Sequence, residues 1–490
     1  MNRPLRPFLG FALALAARLP AVAGSPILDL PAAAGSTIPD LRREAPAAFS
    51  LGGAQPSPGL EAREWWKTFN DPVLDSLMAR ATQGSLSVQQ AQARILQARA
   101  TAGKAASDRW PSVTASAGLT RSQGSANALT EGASASPATV YQAGFDASWE
   151  WDLLGGKQKA KAAADERLAA SQEDLASTLL TLLGDVASNY VALRGDQALR
   201  RITLKSVETQ SQSAQVTEQR FRLGLVSALD VAQAKAQVAS TRSELPTLEA
   251  SIQKSRHRLA VLCGLAPEAL DPELAEEGPL PSSQEAVSAG LPSELLARRP
   301  DLRQAEHNLA AALLDVGVAK ADLYPKFDLT LGLGLESLST GNFLTAASRY
   351  WSIVPGLSLP VFNRAGLKAA VAKKEAVYQE SLAAFREAYH TALEDVANAL
   401  SSYYAERSRR QDLEESLKQS QSALDLAQER YRRGLTSFLD VLSAQSTLQS
   451  AESSLSRSQA ALLTDLVSLC KALGGGWAAA AGTGHPGYAS

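Results

Sequence analysis

The chain has 490 residues, with 48 basic and 50 acidic side chains and a formal net charge of −2. It contains only 11 Phe, 10 Tyr and 2 Met, and long stretches are rich in Ala, Gln, Ser and Leu, which favours long helices over one large core. The near-neutral charge lacks the positive field of a nucleic-acid-binding protein, so we expect no nucleic-acid partner. No nucleophile elbow, phosphate loop or zinc signature is present, and the four histidines lack metal-ligand spacing. We therefore expect neither an enzyme nor a bound cofactor or metal.

The N-terminus has the features of a secretory signal. Two arginines precede an apolar run over residues 8–17, and small residues suited to cleavage follow it. A membrane anchor would need about 20 apolar residues, and Arg18 and Pro20 interrupt the run well short of that. We assign residues 1–24 to a cleaved signal peptide and residues 25–60 to an N-terminal extension.

Helical patterns follow at two places in the chain, over residues 61–110 and 293–324. Each predicts a single helix of about 35 residues, the first of them over about 72–108. Both helices are expected to end before a proline, Pro111 or Pro325, because proline cannot continue a helix.

Two pairs of alternating strands are predicted, over residues 111–153 and 325–362. In VYQAGFDASWEWDL, at 140–153, apolar and polar side chains alternate for six cycles. An edge strand of a soluble sandwich could have this pattern, but the length and the aromatic residues near the ends match a transmembrane barrel strand. The residues predicted to face lipid are Tyr141, Phe145, Trp149, Trp151, Leu329, Leu331, Leu333 and Trp351.

The residues that alternate with this apolar row are polar, and Asp146 and Glu150 would face a water-filled lumen, which avoids the cost of burying carboxylates. Four strands cannot close a barrel, because membrane barrels begin at about eight strands and an open edge in lipid leaves backbone groups unpaired. Several chains must therefore contribute. A secreted protein with such strands belongs in a Gram-negative outer membrane.

Each strand pair is followed by a long helical hairpin, over residues 154–264 and 363–474. Uninterrupted helical patterns at about 157–221 and 366–431 correspond to helices close to 100 Å long, at about 1.5 Å per residue. Such helices suit antiparallel coiled-coil partners. We assign residues 265–292 to a linker that follows the first hairpin and residues 475–490 to a C-terminal tail.

The hairpin tips are predicted from their capping residues. Gly224 and Gly434 fit the left-handed position that stops a helix, and Ser227 and Ser437 fit the N-cap of the next one. The aspartates three residues later, Asp230 and Asp440, can complete capping boxes. A capping role alone and a further functional role are both open for these aspartates.

The chain therefore contains two copies of one unit. EQRFRLGLVSALDV at 218–231 matches QERYRRGLTSFLDV at 428–441, 210 residues further on, and SDRWPSV matches ADLYPKF upstream with the offset changed by four.

The motifs resemble those of the TolC-like outer membrane factors, in the multidrug-efflux and nodulation-export branch. The resemblance covers roughly residues 60–477, through EWWKTFNDPVLDSLMARA, LPSELLARRPDLRQAEHNLAAA, both GLxSxLDV tips and KALGGGW. It implies an α+β membrane protein: a homotrimer with a 12-stranded outer-membrane β-barrel, four strands per chain, continued by a long periplasmic α-helical barrel. It also implies a passive exit duct that docks on a periplasmic adaptor and an inner-membrane pump of the RND or ABC class.

By position, the resemblance assigns two groups of residues to the periplasmic mouth. The tips that would contact the adaptor are Gly224, Leu225, Ser227, Gly434, Leu435 and Ser437. The residues of the periplasmic gate would be Asp230, Tyr431, Arg432 and Asp440.

Three positions depart from the family pattern. Thr436 stands where some relatives have an arginine that links neighbouring hairpins, and Ser443 where some have a second carboxylate. Ser25 replaces the lipobox cysteine of many members, so no acyl anchor is expected.

Other functions stay open at this point. The outer-membrane component of a type I protein secretion system would have the same tube. A coiled-coil scaffold would explain the helices but not the alternating strands.

Overall fold

The computed structural model describes residues 64–125, 136–282 and 298–475. The predicted signal peptide, the N-terminal extension, part of the linker and the tail from residue 476 onward lie outside the described residues. Among the described residues two compact units are present: one includes residues 99–125, 136–166 and 309–380, and the other includes residues 64–98, 167–282, 298–308 and 381–475.

The elements of the first copy follow the predicted order. They are α1 (Pro72–Gly84), α2 (Leu86–Ser107), β1 (Ser112–Ser122), β2 (Ala138–Trp151), α3 (Gly156–Arg222), α4 (Ala228–Arg242), α5 (Leu245–Leu262) and the short α6 (Asp271–Leu274). The elements of the second copy are α7 (Pro300–Ala321), β3 (Lys326–Ser337), β4 (Arg349–Ser358), α8 (Arg364–Arg432) and α9 (Phe438–Ala472).

The prediction of one continuous helix over residues 72–108 is wrong, because the chain breaks it at Ser85. Ser85 has an extended backbone, with φ −60° and ψ 129°. Its carbonyl accepts the first hydrogen bond of α2, from the Gln89 N–H at 3.2 Å. Ser85 therefore occupies the N-cap of a new helix, a position that serine favours.

The two long helices agree with the prediction. The α3 helix has 67 residues and the α8 helix 69, which corresponds to roughly 100 Å each. In the described residues, none of the helices contains a segment long and apolar enough to cross a bilayer. The helices that return from the two tips differ: α9 is continuous over 35 residues, whereas α4 stops at Arg242 and α5 starts with Pro246 in its first turn.

The four strands form one antiparallel sheet in the order β1-β2-β3-β4. The pairing of β2 with β3 joins the two copies of the repeat, and it sets Phe145 opposite Leu333 and Trp149 opposite Leu329. All four predicted strands are thus confirmed. Within the described residues, nothing pairs with the outer edge of β1 or of β4.

The compact unit that contains α1 has its apolar core around the start of that helix. Trp65 packs edge-on against Trp66 and Phe69, with ring centroids 5.8 and 6.0 Å apart. Asp71 caps α1 by accepting hydrogen bonds from two backbone N–H groups and also accepts one from the buried Tyr190 hydroxyl, at 2.6 Å. Burial and the Asp71 hydrogen bond raise the pKa of Tyr190 well above its usual range. This capped and hydrogen-bonded region fixes one end of α1 against α3.

Candidate functional site

Both hairpin tips have the predicted helix-stop geometry. Gly224 and Gly434 each have φ +72°, the left-handed conformation that glycine adopts without steric cost. The N–H of the next residue, Leu225 or Leu435, donates to the carbonyl five residues earlier at 2.9 Å. These are Schellman caps, and they turn the chain at the same point of each copy.

The serines and aspartates at the tips cap the returning helices. The Asp230 carboxylate accepts hydrogen bonds from the N–H of Ser227 at 2.9 Å and from its hydroxyl at 2.8 Å. Asp440 accepts the equivalent bonds from Ser437 at 3.0 and 2.9 Å. The capping interpretation of both aspartates is confirmed, while a gating role stays a prediction.

Asp440 accepts one hydrogen bond that has no equivalent at Asp230 among the described residues. The Thr436 hydroxyl donates to the Asp440 carboxylate, where the first tip has Val226. This hydrogen bond, those from Ser437 and the positive charge of Arg430 lower the pKa of Asp440. The second tip therefore holds a carboxylate that stays ionised in more acidic solution than an ordinary aspartate.

A group of apolar side chains joins the two hairpins just behind the tips. We call it the tip cluster; it consists of Ala214, Ala234, Val238, Tyr431, Phe438 and Leu442. Phe438 is only 3% exposed and its ring centroid lies 5.7 Å from that of Tyr431. The second hairpin supplies the two rings, and the first hairpin supplies the small residues against which they pack.

Arg220 completes this contact from the first hairpin. Its guanidinium carbon lies 4.5 Å from the centroid of the Tyr431 ring, a cation–π distance. Among the residues that the structure describes, the buried Tyr431 hydroxyl has no hydrogen-bond partner. Arg432, predicted to belong to the gate, pairs with Glu429 of its own helix at 3.6 Å, and its gating role stays a prediction.

Sequence reasoning missed Arg220 and Phe438. The signal for Phe438 is a difference between the copies, since Ala228 stands at the equivalent position. No pattern in the sequence marks Arg220, because the equivalent residue of the second copy, Arg430, is also an arginine. The two differ only in the structure, where Arg430 has no ring beneath it among the described contacts.

The tips also carry exposed apolar side chains. Leu225 and Leu435, predicted to contact an adaptor, are 64% and 63% exposed. Leu223, Leu229 and Leu439 are exposed beside them and were not singled out from the sequence. Together they give each tip an apolar, solvent-facing surface.

Polar side chains lie between the hairpins further from the tips. Gln445 donates to the Ser213 hydroxyl at 2.9 Å, and Gln210 donates to the side-chain carbonyl of Gln449 at 3.1 Å. Gln210 and Gln445 are buried. The hairpins are therefore joined by apolar contacts at the tips and by hydrogen bonds behind them.

The sheet has one apolar and one polar face. The register places all eight residues predicted to face lipid on the same side; they are Tyr141, Phe145, Trp149, Trp151, Leu329, Leu331, Leu333 and Trp351. Trp351 is 75% exposed, and the Trp149 indole N–H donates to the carbonyl of Arg109 at 3.1 Å. Asp146, Glu150 and Asp328 lie on the opposite, polar face.

No group of three or more His, Cys, Asp or Glu side chains in the described ranges could hold a metal ion. The features that stand out are instead a sheet with two chemically different faces and open edges, and two long hairpins with capped, apolar tips. These features define a channel-type protein of the outer membrane. The chain belongs to the outer membrane efflux protein family, whose sequence profile matches residues 77–265 and 291–475.

Similarity to individual proteins agrees with this family. The chain is 37% identical to the pyoverdine export outer membrane protein OpmQ of Pseudomonas aeruginosa over 88% of this chain and 91% of that protein. It is 30% identical to nodulation protein T of Rhizobium leguminosarum bv. trifolii, over 84% and 87% of the two chains. The solved structure of the outer-membrane channel OprN has a TM-score of 0.84 and 34% identity, covering 90% of this chain and 99% of that one.

These relatives confirm the resemblance to the efflux and nodulation-export branch. The protein is an outer-membrane component of efflux, located in the Gram-negative outer membrane with its helical barrel in the periplasm. The family consists of outer-membrane channel proteins and not of enzymes.

Proposed function

We propose that three copies of the chain close into a 12-stranded barrel that passively conducts small molecules out of the cell. The observation that carries this proposal is the open sheet: the outer edges of β1 and β4 have no partner in the described chain. Unpaired backbone groups in lipid cost several kcal/mol each, so β4 of one copy needs β1 of the next. Three copies supply 12 strands, enough for a closed barrel.

The two faces of the sheet support an orientation for this barrel. The apolar face, with Phe145, Leu333 and Trp351 in one cross-strand row, would contact lipid. The polar face, with Asp146 and Glu150, would line a water-filled lumen, where carboxylates keep their hydration.

The hairpin tips would form the periplasmic mouth. Their exposed leucines, Leu225 and Leu435 among them, offer an apolar surface to the hairpin of a periplasmic adaptor. An inner-membrane pump of the RND or ABC class would supply the energy for export. Asp440 would lie near its symmetry mates in this mouth and contribute to a gate with Asp230, Tyr431 and Arg432.

Small molecules are favoured over proteins as the cargo. OpmQ, at 37% identity, is named for the export of pyoverdine, and its similarity extends over most of both chains. This similarity supports a tripartite small-molecule efflux system as our proposal for this chain.

Two measurements on the purified full-length protein test the proposal. Heat-sensitive trimers should migrate above the monomer in gel electrophoresis, and they should form ion-conducting channels in planar bilayers. Deleting the gene should sensitise cells to small toxic compounds. A stable soluble monomer contradicts the duct, and loss of a secreted protein with unchanged drug sensitivity supports type I secretion instead.

The orientation of the sheet has its own test. Leu331→Asp places a charge on the proposed lipid face and should destabilise the assembled barrel by about 2 kcal/mol or less, depending on its depth in the membrane. Ser148→Asp, on the opposite face of the same sheet, is the matched control and should assemble normally. Equal loss of trimer from both variants rejects the orientation.

A further inference from the structure

One side chain on the polar face of the sheet lies across its neighbours. Tyr350 of β4 is directly opposite Gly334 of β3, and Gly334 is opposite Gly144 of β2. The Tyr350 hydroxyl reaches β2, where the Gln142 amide donates a hydrogen bond to it at 3.1 Å. The side chain therefore crosses the whole width of β3 and lies along the sheet instead of standing away from it.

Two glycines make this orientation possible. A Cβ atom on Gly334 would lie 2.7 Å from Cε1 of Tyr350, and one on Gly144 would lie 2.9 Å from its hydroxyl oxygen. The same Cβ atoms would lie 2.6 Å from the Ala143 carbonyl oxygen and 2.7 Å from the Leu333 carbonyl oxygen. All four distances are well inside van der Waals contact, so a side chain at either position would have to displace the tyrosine and shift the β2–β3 backbone. Aromatic side chains that cover glycines stabilise sheets in this way.

We propose that Gly144 and Gly334 widen the bore of the barrel at this level, because they let Tyr350 lie flat against the wall, and that they thereby limit the size of the solutes that pass this level. The inference rests on the proposed function, in which the polar face lines the lumen. In a trimer, three tyrosines lie at the same level. If each stood up from the wall, all three would point into the same cross-section of the lumen.

Thiol labelling on intact cells can measure this bore. Ser148 lies on the polar face, four residues along β2 from Gly144, which is in the same cross-strand row as Tyr350. This direction leads away from the β1–β2 connection. Thr120 lies on the same face but nearer that connection. The native thiols of Cys263 and Cys470 are buried and give a low background. A reagent added from outside therefore reaches Thr120→Cys before the level of Tyr350, and it reaches Ser148→Cys only after passing that level.

Maleimides carrying polyethylene glycol of graded mass are added from outside. In the Ser148→Cys protein, Gly334→Ala should slow labelling by the larger reagents several-fold and leave the smallest reagent unaffected. Labelling at Thr120→Cys should not change. Adding Tyr350→Ala to the Gly334→Ala protein should restore the original rate.

Gly118→Ala is the matched control, since Gly118 is on the same face and a Cβ there meets nothing within 4 Å. It should leave labelling unchanged. Equal rates with and without Gly334→Ala, in variants that retain the trimer, would overturn the inference.

A second variant covers the case in which Gly334→Ala does not assemble. Tyr350→Ala alone should barely change labelling at Ser148→Cys, because a flat ring occupies little of the bore; several-fold faster labelling by large reagents would show that the ring already projects inward and would refute the proposal. Failure of the smallest reagent to label Ser148→Cys, with Thr120→Cys labelled, would instead reject a lumen along the polar face, and with it the proposed function.

Discussion

The tip between α3 and α4 and the tip between α8 and α9 have the same backbone and different packing. Both turn at a glycine with φ +72°, and both start the returning helix with a serine and an aspartate. The packing differs at two of the equivalent positions. Phe221 is exposed and Ala228 is small in the first tip, whereas Tyr431 is half-buried and Phe438 is buried in the second.

The difference makes the two copies complementary. The first hairpin offers small residues, Ala214 and Ala234, and the second fills the space beside them with Phe438. Two identical tips could not do this, because two large rings would collide or two alanines would leave a cavity. The two copies therefore share one turn geometry and differ in the side chains that pack behind the turn.

The largest expected effect comes from emptying the second tip. Phe438→Ala should lower the local free energy of unfolding by about 3 kcal/mol, through lost burial and the cavity left behind. Hydrogen exchange of the amides at the start of α9 and in α4 measures this local stability. Leu439→Ala is the neighbouring control on an exposed side chain and should change it by less than about 0.5 kcal/mol. Similar effects from both variants would show that the tip cluster does not hold the hairpins together.

The shared backbone predicts equal effects at the turns. Gly224→Ala and Gly434→Ala should each cost about 1 kcal/mol, because alanine is strained in the left-handed conformation. A Cβ at either glycine meets nothing within 4 Å, so strain is the whole effect. Hydrogen exchange of the amides in the first turn of α4 and of α9 compares the stability costs of the two substitutions. A much larger loss at one tip would mean that the packing difference extends to the turn.

The cation–π contact predicts a smaller effect that only one copy shows. Arg220→Ala should cost roughly 0.5–1 kcal/mol at the tip cluster, since the guanidinium over Tyr431 is lost. Arg430→Ala, at the equivalent position of the second copy, should cost less. Hydrogen exchange of the tip amides, measured at increasing temperature, compares the stability losses of the two variants. A larger loss in Arg430→Ala than in Arg220→Ala would contradict the cation–π contact of Arg220.

The smallest effect is a pH dependence at Asp440. Its pKa is lowered in the folded chain, so the ionised cap stabilises α9 above the ordinary value near 3.8, and this stabilisation is lost as the pH falls through the lowered folded pKa. Asp440→Asn should flatten this acid dependence of exchange at the start of α9. Thr436→Val should weaken it, since the threonine hydroxyl is the main cause of the shift. An unchanged profile in both variants would contradict the assigned cause.

The same Asp440→Asn variant separates a cap from a gate. If Asp440 also acts in the mouth, multivalent cations added from the periplasmic side of a planar bilayer should block the variant less than the parent. If it only caps α9, the acid dependence changes and the block does not.

The sequence predicts elements that depend on local chemistry. Helix ends follow from Gly224, Gly434 and the prolines, and strand faces follow from alternation, so the ends of α3 and α8 are predicted to within two residues and all four strands are predicted as elements. The break at Ser85 was missed because a polar residue inside an apolar-periodic stretch fits both a helix surface and an N-cap.

Partners across the fold are harder to predict than elements. Alternation places Tyr350 on the polar face of β4, but only the register with β2 and β3 shows that two glycines lie under its ring. Likewise, helical periodicity gives Phe438 and Arg220 each a face and does not say that both meet Tyr431. The contacts of Tyr350 with Gln142 and of Arg220 with Tyr431 join residues about 200 positions apart, beyond the reach of any local pattern.

The open edges of β1 and β4 have a consequence for how a cell makes this protein. The apolar and hydrogen-bonded contacts between the two hairpins lie within one chain, so a newly exported copy can form them alone. Its sheet, in the proposed trimer, cannot enter lipid until neighbours cover both edges. Under that proposal, membrane insertion would depend steeply on the concentration of exported copies, and scarce copies would wait in the periplasm with their strand edges unpaired. Slowing synthesis should lengthen that wait far more than it would for a barrel closed by a single chain.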